Sequence, residues 1–190
     1  MGLVTSESSD AKRTNGGGAS AAVVRSYAPA SGELLGEIPV TRDEEVRATV
    51  ARARRAQAAW GALPVEERCE RVLRFRDALV ERAEELVDVI TRECGKPRHE
   101  ALLHEVTATA DLATYYCKHG PRILAPQDLS FHLLVHRRAR IHHVPRGVVG
   151  IISPWNFPFV IPMGDVFGAL VTGSAVVVKP SEVTPLTMLK

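Results

Sequence analysis

Cysteine and aromatic side chains are scarce in this chain of 190 residues. Cysteine occurs three times and aromatics make up 5% of the whole. Cys69, Cys94 and Cys117 are odd in number, widely spaced and form no C-x-x-C. That argues against a disulfide framework and fits a reducing, cytoplasmic setting. A large charge excess is also absent: the formal net charge is +2, which gives no case for nucleic acid or a membrane surface as partner. The arginines are interleaved with glutamates in helix-like stretches, and no aromatic platform for base stacking accompanies them. There is no basic stretch leading into an apolar one at the N-terminus, as a secretory signal requires. Met1 to Ser6 matches only a loose myristoylation pattern that is common by chance. Between Gly147 and Val178 the only formal charge is Asp165, but Pro154, Pro158 and Pro162 break the run, so a buried α/β core is expected there rather than a membrane span. Neither a G-x-G-x-x-G nor a G-x-x-x-x-G-K-[ST] phosphate loop is present.

What remains is an ordinary globular composition, 45% apolar and 24% charged, enough for one sizeable domain. Residues 1–22, rich in Ser, Gly and Ala, read as a disordered tail. Tyr27 to Glu33 is a turn and Leu34 to Val40 a short extended segment. Thr41-Arg42-Asp43-Glu44 has the form of a capping box, so a helix is expected over about 43–60 with Val46, Val50, Ala53 and Trp60 on one face. Leu63-Pro64 restarts the chain. Val72, Phe75, Leu79, Leu86 and Ile90 mark one long second helix, ended by Gly95 and Pro97. A third helix over about 98–118 carries Leu102, Val106, Ala110, Ala113 and Cys117, and Gly120-Pro121 stops it. Together, 23–130 form a helical layer.

Phe131 to Val144 mixes β-formers with His132, His136, His142, His143 and several arginines, and reads as one or two exposed strands of an arm, about 131–145, suited to a subunit contact. The histidines lack ligand spacing for a metal: His132 and His136 would align only on a helix. From 146 onward, Val148 to Ile152 and Ala175 to Val178 are apolar runs of the kind found in strands buried on both faces. A helix ending at Val171 joins them. This is one strand–helix–strand unit of a parallel, Rossmann-like sheet. Thr184-Pro185 announces another helix. The fold class is α/β, a helical layer plus the start of a doubly wound sheet that looks incomplete, since two parallel strands leave both edges uncovered.

In open α/β sheets, ligands bind at the carboxyl ends of the strands. Two loops leave those ends here. The first is Ser153-Pro154-Trp155-Asn156-Phe157-Pro158, the second Lys179-Pro180-Ser181-Glu182. The Asn156 carboxamide can donate to a developing oxyanion, a contact worth about 3 kcal/mol in a transition state. Lys179 and Glu182 can hydrogen-bond ribose hydroxyls, and Glu182 would repel a 2′-phosphate. Each feature has an ordinary alternative: asparagine between prolines is common turn chemistry, and a Lys–Glu couple is commonly a surface ion pair.

The stretch Pro145-Arg146-Gly147-Val148-Val149-Gly150-Ile151-Ile152-Ser153-Pro154-Trp155-Asn156-Phe157-Pro158, followed by Gly173 to Pro185 with its Lys179-Pro180-Ser181-Glu182-Val183-Thr184-Pro185, closely resembles the aldehyde dehydrogenase superfamily. Gly95-Lys96-Pro97 with Glu100-Ala101 agrees, and the resemblance covers about residues 25–190. It implies NAD-linked oxidation of an aldehyde to a carboxylic acid, with NADP as the alternative cofactor and a homo-oligomer as the working assembly. It also implies that Asn156 is the oxyanion donor, that Lys179 and Glu182 lie at the adenosine ribose with Ser181 among the cofactor-binding residues, and that Ile152, Ser153, Pro154 and Trp155 line the cofactor's path. The family's nucleophilic cysteine and glutamate base belong to motifs this chain does not contain, so the chain alone is expected to be inactive. Asp165 and Ser174 stand where lysine and asparagine are usual, which points to a divergent subfamily. The rival reading is a non-catalytic assembly module built on the same fold.

Overall fold

The structure, a computed structural model, describes residues 22–130, 132, 133 and 136–190. The expected tail lies outside the described residues except for Ala22. Its carbonyl accepts a hydrogen bond from the Val40 N–H at 2.8 Å, so Ala22 belongs to the hairpin that follows. That hairpin pairs β1 (Val23–Tyr27) with β2 (Leu34–Pro39) antiparallel. The turn expected between them closes through Ala28 and Glu33.

Helix α1 (Asp43–Gly61) matches the expected span, but its cap sits one residue further on. The N-cap is Arg42, whose N–H is accepted by Glu45 Oε2 at 2.9 Å. Only the third helical residue can reach back to the cap, and from Arg42 that residue is Glu45, not Glu44. The expected apolar face of α1 is shallow: the helix has no fully buried residue.

The long second helix is two helices, α2 (Val65–Glu81) and α3 (Ala83–Cys94), broken at Arg82 with φ −101° and ψ 17°. The break redirects the apolar stripe. It lets α2 pack on the later helices Ala108–Leu124 and Val160–Val171 while α3 turns toward the end of the chain. Gly95 ends α3 in the left-handed conformation, φ 73°, as its position suggested.

A three-residue α4 (Arg98–Glu100) runs without interruption into a π-helical segment (Ala101–Thr107) and then α5 (Ala108–Leu124). The stop expected at Gly120-Pro121 is overridden, and Pro121 lies inside the helix. A β-carbon on Gly120 would stand 2.6 Å from Val171 Cγ1. The helix therefore packs at closest range at this turn, which offsets the hydrogen bond that Pro121 cannot donate.

The arm is a small antiparallel pair, β3 (Gln127–Leu129) with β4 (Ala139–Ile141). Its first strand lies before the segment in which strands were expected. Asp128 and Arg140 are cross-strand partners joined by an ion pair of 2.6 Å, and that pair marks the register. Phe131, Leu134 and Val135 lie outside the described residues.

Strands β5 (Val148–Ile152) and β6 (Ala175–Lys179) are parallel, joined by α6 (Val160–Val171). This is the expected strand–helix–strand unit. The strands are less buried than expected: in β5 only Ile151 is fully buried, and β6 is half-buried along Ala175–Val178. A two-stranded sheet has two edges, and no third strand among the described residues pairs with either. The core lies between α2, α3, α5 and α6, around Val72, Leu86, Ile90, Ala113 and Phe167. Phe75 meets Phe167 edge to face at 5.8 Å between centroids. The announced last helix is a 3-10 turn, Leu186–Leu189. No described helix is long and apolar enough to cross a membrane.

Candidate functional site

Both chemistry-bearing loops leave the same end of the same two-stranded sheet. In the parallel register Ile152 lies opposite Lys179. The Ser153 N–H, just past the end of β5, donates to the Lys179 carbonyl at 3.0 Å. Further out, Thr184 Oγ1 donates to the Trp155 carbonyl at 3.4 Å. The two loops are thus tied at their root and again near their tips. At this rim of the sheet Ile152, Trp155, Asn156, Lys179 and Glu182 are each exposed. Ile152, 82% exposed, is an apolar surface beside a charged pair.

Of the eight candidates five are exposed, two are buried and one is half-buried. Lys179 Nζ and Glu182 Oε2 are 2.6 Å apart and both exposed. The hydrogen bond from Lys179 holds the Glu182 carboxyl below the usual carboxylate range, so the couple offers two further donors and an ionised acceptor at neutral pH. Ser153 and Ser181 are buried instead. Ser153 Oγ donates to the Pro154 carbonyl at 3.2 Å, and Ser181 Oγ accepts the Val183 N–H at 3.2 Å. Their hydroxyls shape the loops from inside. Pro154 is half-buried.

Two carboxylates absent from the sequence reading hold these loops from below. Glu105 is fully buried. Its Oε2 accepts the N–H groups of Phe159 at 3.2 Å and Val160 at 2.9 Å, at the start of α6. Its Oε1 pairs with Lys96, whose ammonium stands 3.7 Å from the centroid of the Phe157 ring. Glu93, 3% exposed, does the same for the second loop. Its Oε1 accepts the Ser26 hydroxyl at 2.8 Å and the Leu186 N–H at 2.7 Å. Its Oε2 accepts the N–H and the hydroxyl of Thr187 at 2.8 and 2.7 Å. Each carboxylate satisfies backbone donors that open a helical turn and would otherwise be orphaned. The sequence held a signal for both. Glu93 falls three residues after Ile90 and Glu105 beside Val106, on helix faces that are otherwise apolar, where an unpaired charge is not tolerated.

None of the three cysteines suits nucleophilic work. Cys69 and Cys117 are buried, and Cys117 Sγ lies 3.5 Å from the Cys69 carbonyl. Burial, reinforced by Glu105 and Glu93, pushes the Cys94 thiol up to about 12. Burial also pushes Cys117 up to about 12. A thiol so raised is protonated at neutral pH and inert.

A helical layer on a parallel strand–helix–strand unit, with its polar loops at the carboxyl ends, places the molecule among α/β proteins with a Rossmann-like sheet. The sequence profile of the Aldehyde dehydrogenase family matches residues 17–190, and the chain belongs to that family. It is 38% identical over 161 residues to the 4,4'-diapolycopene aldehyde oxidase of a Methylomonas species, an alignment covering 84% of this chain and 30% of that protein. Among solved structures it superposes on an NAD-dependent benzaldehyde dehydrogenase from Corynebacterium glutamicum with a TM-score of 0.80 at 31% identity, over 87% of this chain and 36% of that one. An NADP-dependent glyceraldehyde-3-phosphate dehydrogenase from Bacillus halodurans, complexed with NADP, superposes with a TM-score of 0.81 at 34% identity, over 87% and 35%. The chain spans about a third of the length of these relatives.

Proposed function

We propose that this chain supplies the oxyanion donor and the adenosine-ribose contacts of an NAD-linked aldehyde dehydrogenase. The observation that carries the reading is the pairing of Ile152 with Lys179, which sends the Asn156 loop and the Lys179–Glu182 loop off one strand end together. The exposed rim fits a dinucleotide. Lys179 donates to and Glu182 accepts from vicinal ribose hydroxyls, and Ile152 and the main chain of Ser153, Pro154 and Trp155 lie along its length, with Ser181 shaping the second loop from within. When bound, that cofactor supplies the two-electron oxidant. Asn156 donates its carboxamide N–H to the oxygen on which charge develops as the aldehyde carbon is attacked. The Glu182 carboxylate disfavours a 2′-phosphate, so NAD is preferred and NADP is the alternative. Relatives of both preferences resemble the chain about equally.

The nucleophile and the general base come from outside these 190 residues, so the chain alone is inactive toward aldehydes. Steady formation of NADH from benzaldehyde or succinate semialdehyde by the purified chain would overturn that statement. Where coding continues past Lys190, Asn156→Ala in the longer product lowers kcat by on the order of 100-fold and leaves NAD affinity within about twofold. The opposite pattern removes Asn156 from the oxyanion role. A true stop after Lys190 transfers support to the non-catalytic assembly module.

We assign the subunit contact of a homo-oligomer to the arm, where Leu129, Ile141 and Val144 are 47%, 41% and 79% exposed. Three free thiols agree with a cytoplasmic location, and the net charge of +2 with neither nucleic acid nor a membrane surface as partner.

A further inference from the structure

We propose that Lys96 and Glu105 are a positioning pair that fixes the turn carrying Asn156, so that the carboxamide is pre-aimed before any ligand arrives. The proposal rests on the oxyanion reading for its purpose, while its geometry stands apart from it. Asn156 is exposed, yet everything around it is anchored. On one side the Trp155 carbonyl accepts from Thr184. On the other, the Phe157 ring lies under the Lys96 ammonium and Pro158 is buried. Three and four residues after Asn156, Glu105 takes the two amides that open α6.

Lys96 and Glu105 therefore act as one unit. The side chain of Lys96 is 15% exposed and that of Glu105 is not exposed at all. One carboxylate oxygen serves the ammonium and the other serves the two amides, and the ammonium spends a further face on an aromatic ring. A buried ion pair is a costly way to hold two helices together, since packed apolar residues do so as well or better. Its distinctive product is direction: it fixes the angle of the ring next to Asn156 and the start of the helix after it. The segment that delivers Glu105 is the seven-residue π-helical stretch, an expensive geometry that recurs at functional sites. An oxyanion donor is effective only when already aimed, because reorientation during reaction cancels its benefit.

The test uses the 190-residue chain. Its only asparagines are Asn15 and Asn156, so selective 15N-asparagine labelling gives two backbone signals, assigned with Asn15→Ser. The double variant Lys96→Met with Glu105→Gln removes both charges together and leaves an amide oxygen for Phe159 and Val160, so no orphan charge unfolds the core. The order parameter of the Asn156 amide is expected to fall from about 0.85 to below about 0.6, with 15N-valine signals of β5 and β6 unchanged. Lys96→Arg, whose guanidinium both pairs with a carboxylate and stacks on a ring, keeps Asn156 at the wild-type value. Phe157→Leu, which leaves the ion pair intact, loosens Asn156 and covers the case in which the double variant fails to fold. An Asn156 amide as ordered in the double variant, or in Phe157→Leu, as in the wild type overturns the proposal. In an aldehyde-oxidising longer product, the double variant lowers kcat on the order of 100-fold, the size of a misplacement near 1 Å, with KM for NAD unchanged. If Asn156→Ala leaves kcat intact while the order parameter still falls, the oxyanion reading fails and the positioning pair stands.

Discussion

Glu93→Gln tests whether the second loop is held by charge or only by shape. Gln has the same length and nearly the same volume as Glu, so packing is preserved. What changes is the number of acceptors. In the native site each carboxylate oxygen takes one hydroxyl and one backbone N–H: Ser26 and Leu186 on Oε1, and both donors of Thr187 on Oε2. A carboxamide has one oxygen and one NH2. Whichever way it is turned, a backbone N–H faces the NH2, whereas the hydroxyl on that side can rotate to accept. One buried amide is left unpaired, at about 1–3 kcal/mol, and the remaining bonds lose the assistance of the charge, about 1 kcal/mol more. The expected loss is about 2–4 kcal/mol, a large part of a domain's net stability. Urea unfolding followed by far-UV circular dichroism measures it, with the exposed Glu70→Gln as a control that stays within about 0.5 kcal/mol. Hydrogen exchange of the Leu186 or Thr187 amide should accelerate before the core amides do. A Glu93→Gln chain within about 0.5 kcal/mol of the wild type, with both amides still protected, refutes the account.

Gly120→Ala gains helix propensity, about 1 kcal/mol, but drives its β-carbon to 2.6 Å from Val171 Cγ1. Val171 is held to one rotamer by its branch, so overpacking wins by about 1–2 kcal/mol. Chemical unfolding of the variant alone and with Val171→Ala should show the two changes compensating each other. Gly95→Ala places a side chain at φ 73° and 3.0 Å from Pro29 Cγ, so the thermal midpoint drops by the equivalent of at least about 1 kcal/mol. Because burial raises Cys94 and Cys117 to about 12 from an ordinary value of 9.0, the folded chain binds more protons than the unfolded chain between those values. Stability from these thiols is complete below pH 9 and is lost as pH rises toward 12. At pH 8, iodoacetamide should label the native chain far more slowly than the urea-unfolded chain, and equal rates would contradict the burial.

The parts of this molecule that could be read from its residues are those fixed by local rules. Gly95 ends its helix because a left-handed position favours glycine, and β5, α6 and β6 follow from two β-branched runs around a proline-punctuated turn. Asn156, Lys179 and Glu182 could be named as candidates because they follow the carboxyl ends of apolar strands, where open α/β sheets bind ligands, although turn chemistry and a surface ion pair account for the same residue types. Three of the misreadings share one cause. Pro121 should stop a helix, Val72 to Ile90 should be one helix, and the first strand of the arm should follow Phe131. In each case the outcome was decided by a partner distant in sequence. Gly120 packs against Val171, α2 and α3 face different neighbours across the break at Arg82, and Asp128 pairs with Arg140.

Glu93 and Glu105 show that the same limit applies to function. A glutamate on a helix is by default a solvated charge, and only the arrival of Leu186 and Thr187, or of Phe159 and Val160, turns it into a cap. The candidate site is therefore made by two kinds of residue with opposite legibility. Those proposed to meet a ligand stand exposed at strand ends, where candidates can be named from type and spacing alone. Those proposed to aim them are buried and lie 54 to 94 positions along the chain from the backbone they hold, where a carboxylate among apolar residues is the only trace. Substituting the first kind should change what is bound or how fast it reacts. Substituting the second should change how well the first kind is held, which is why order at Asn156, rather than affinity alone, separates the two.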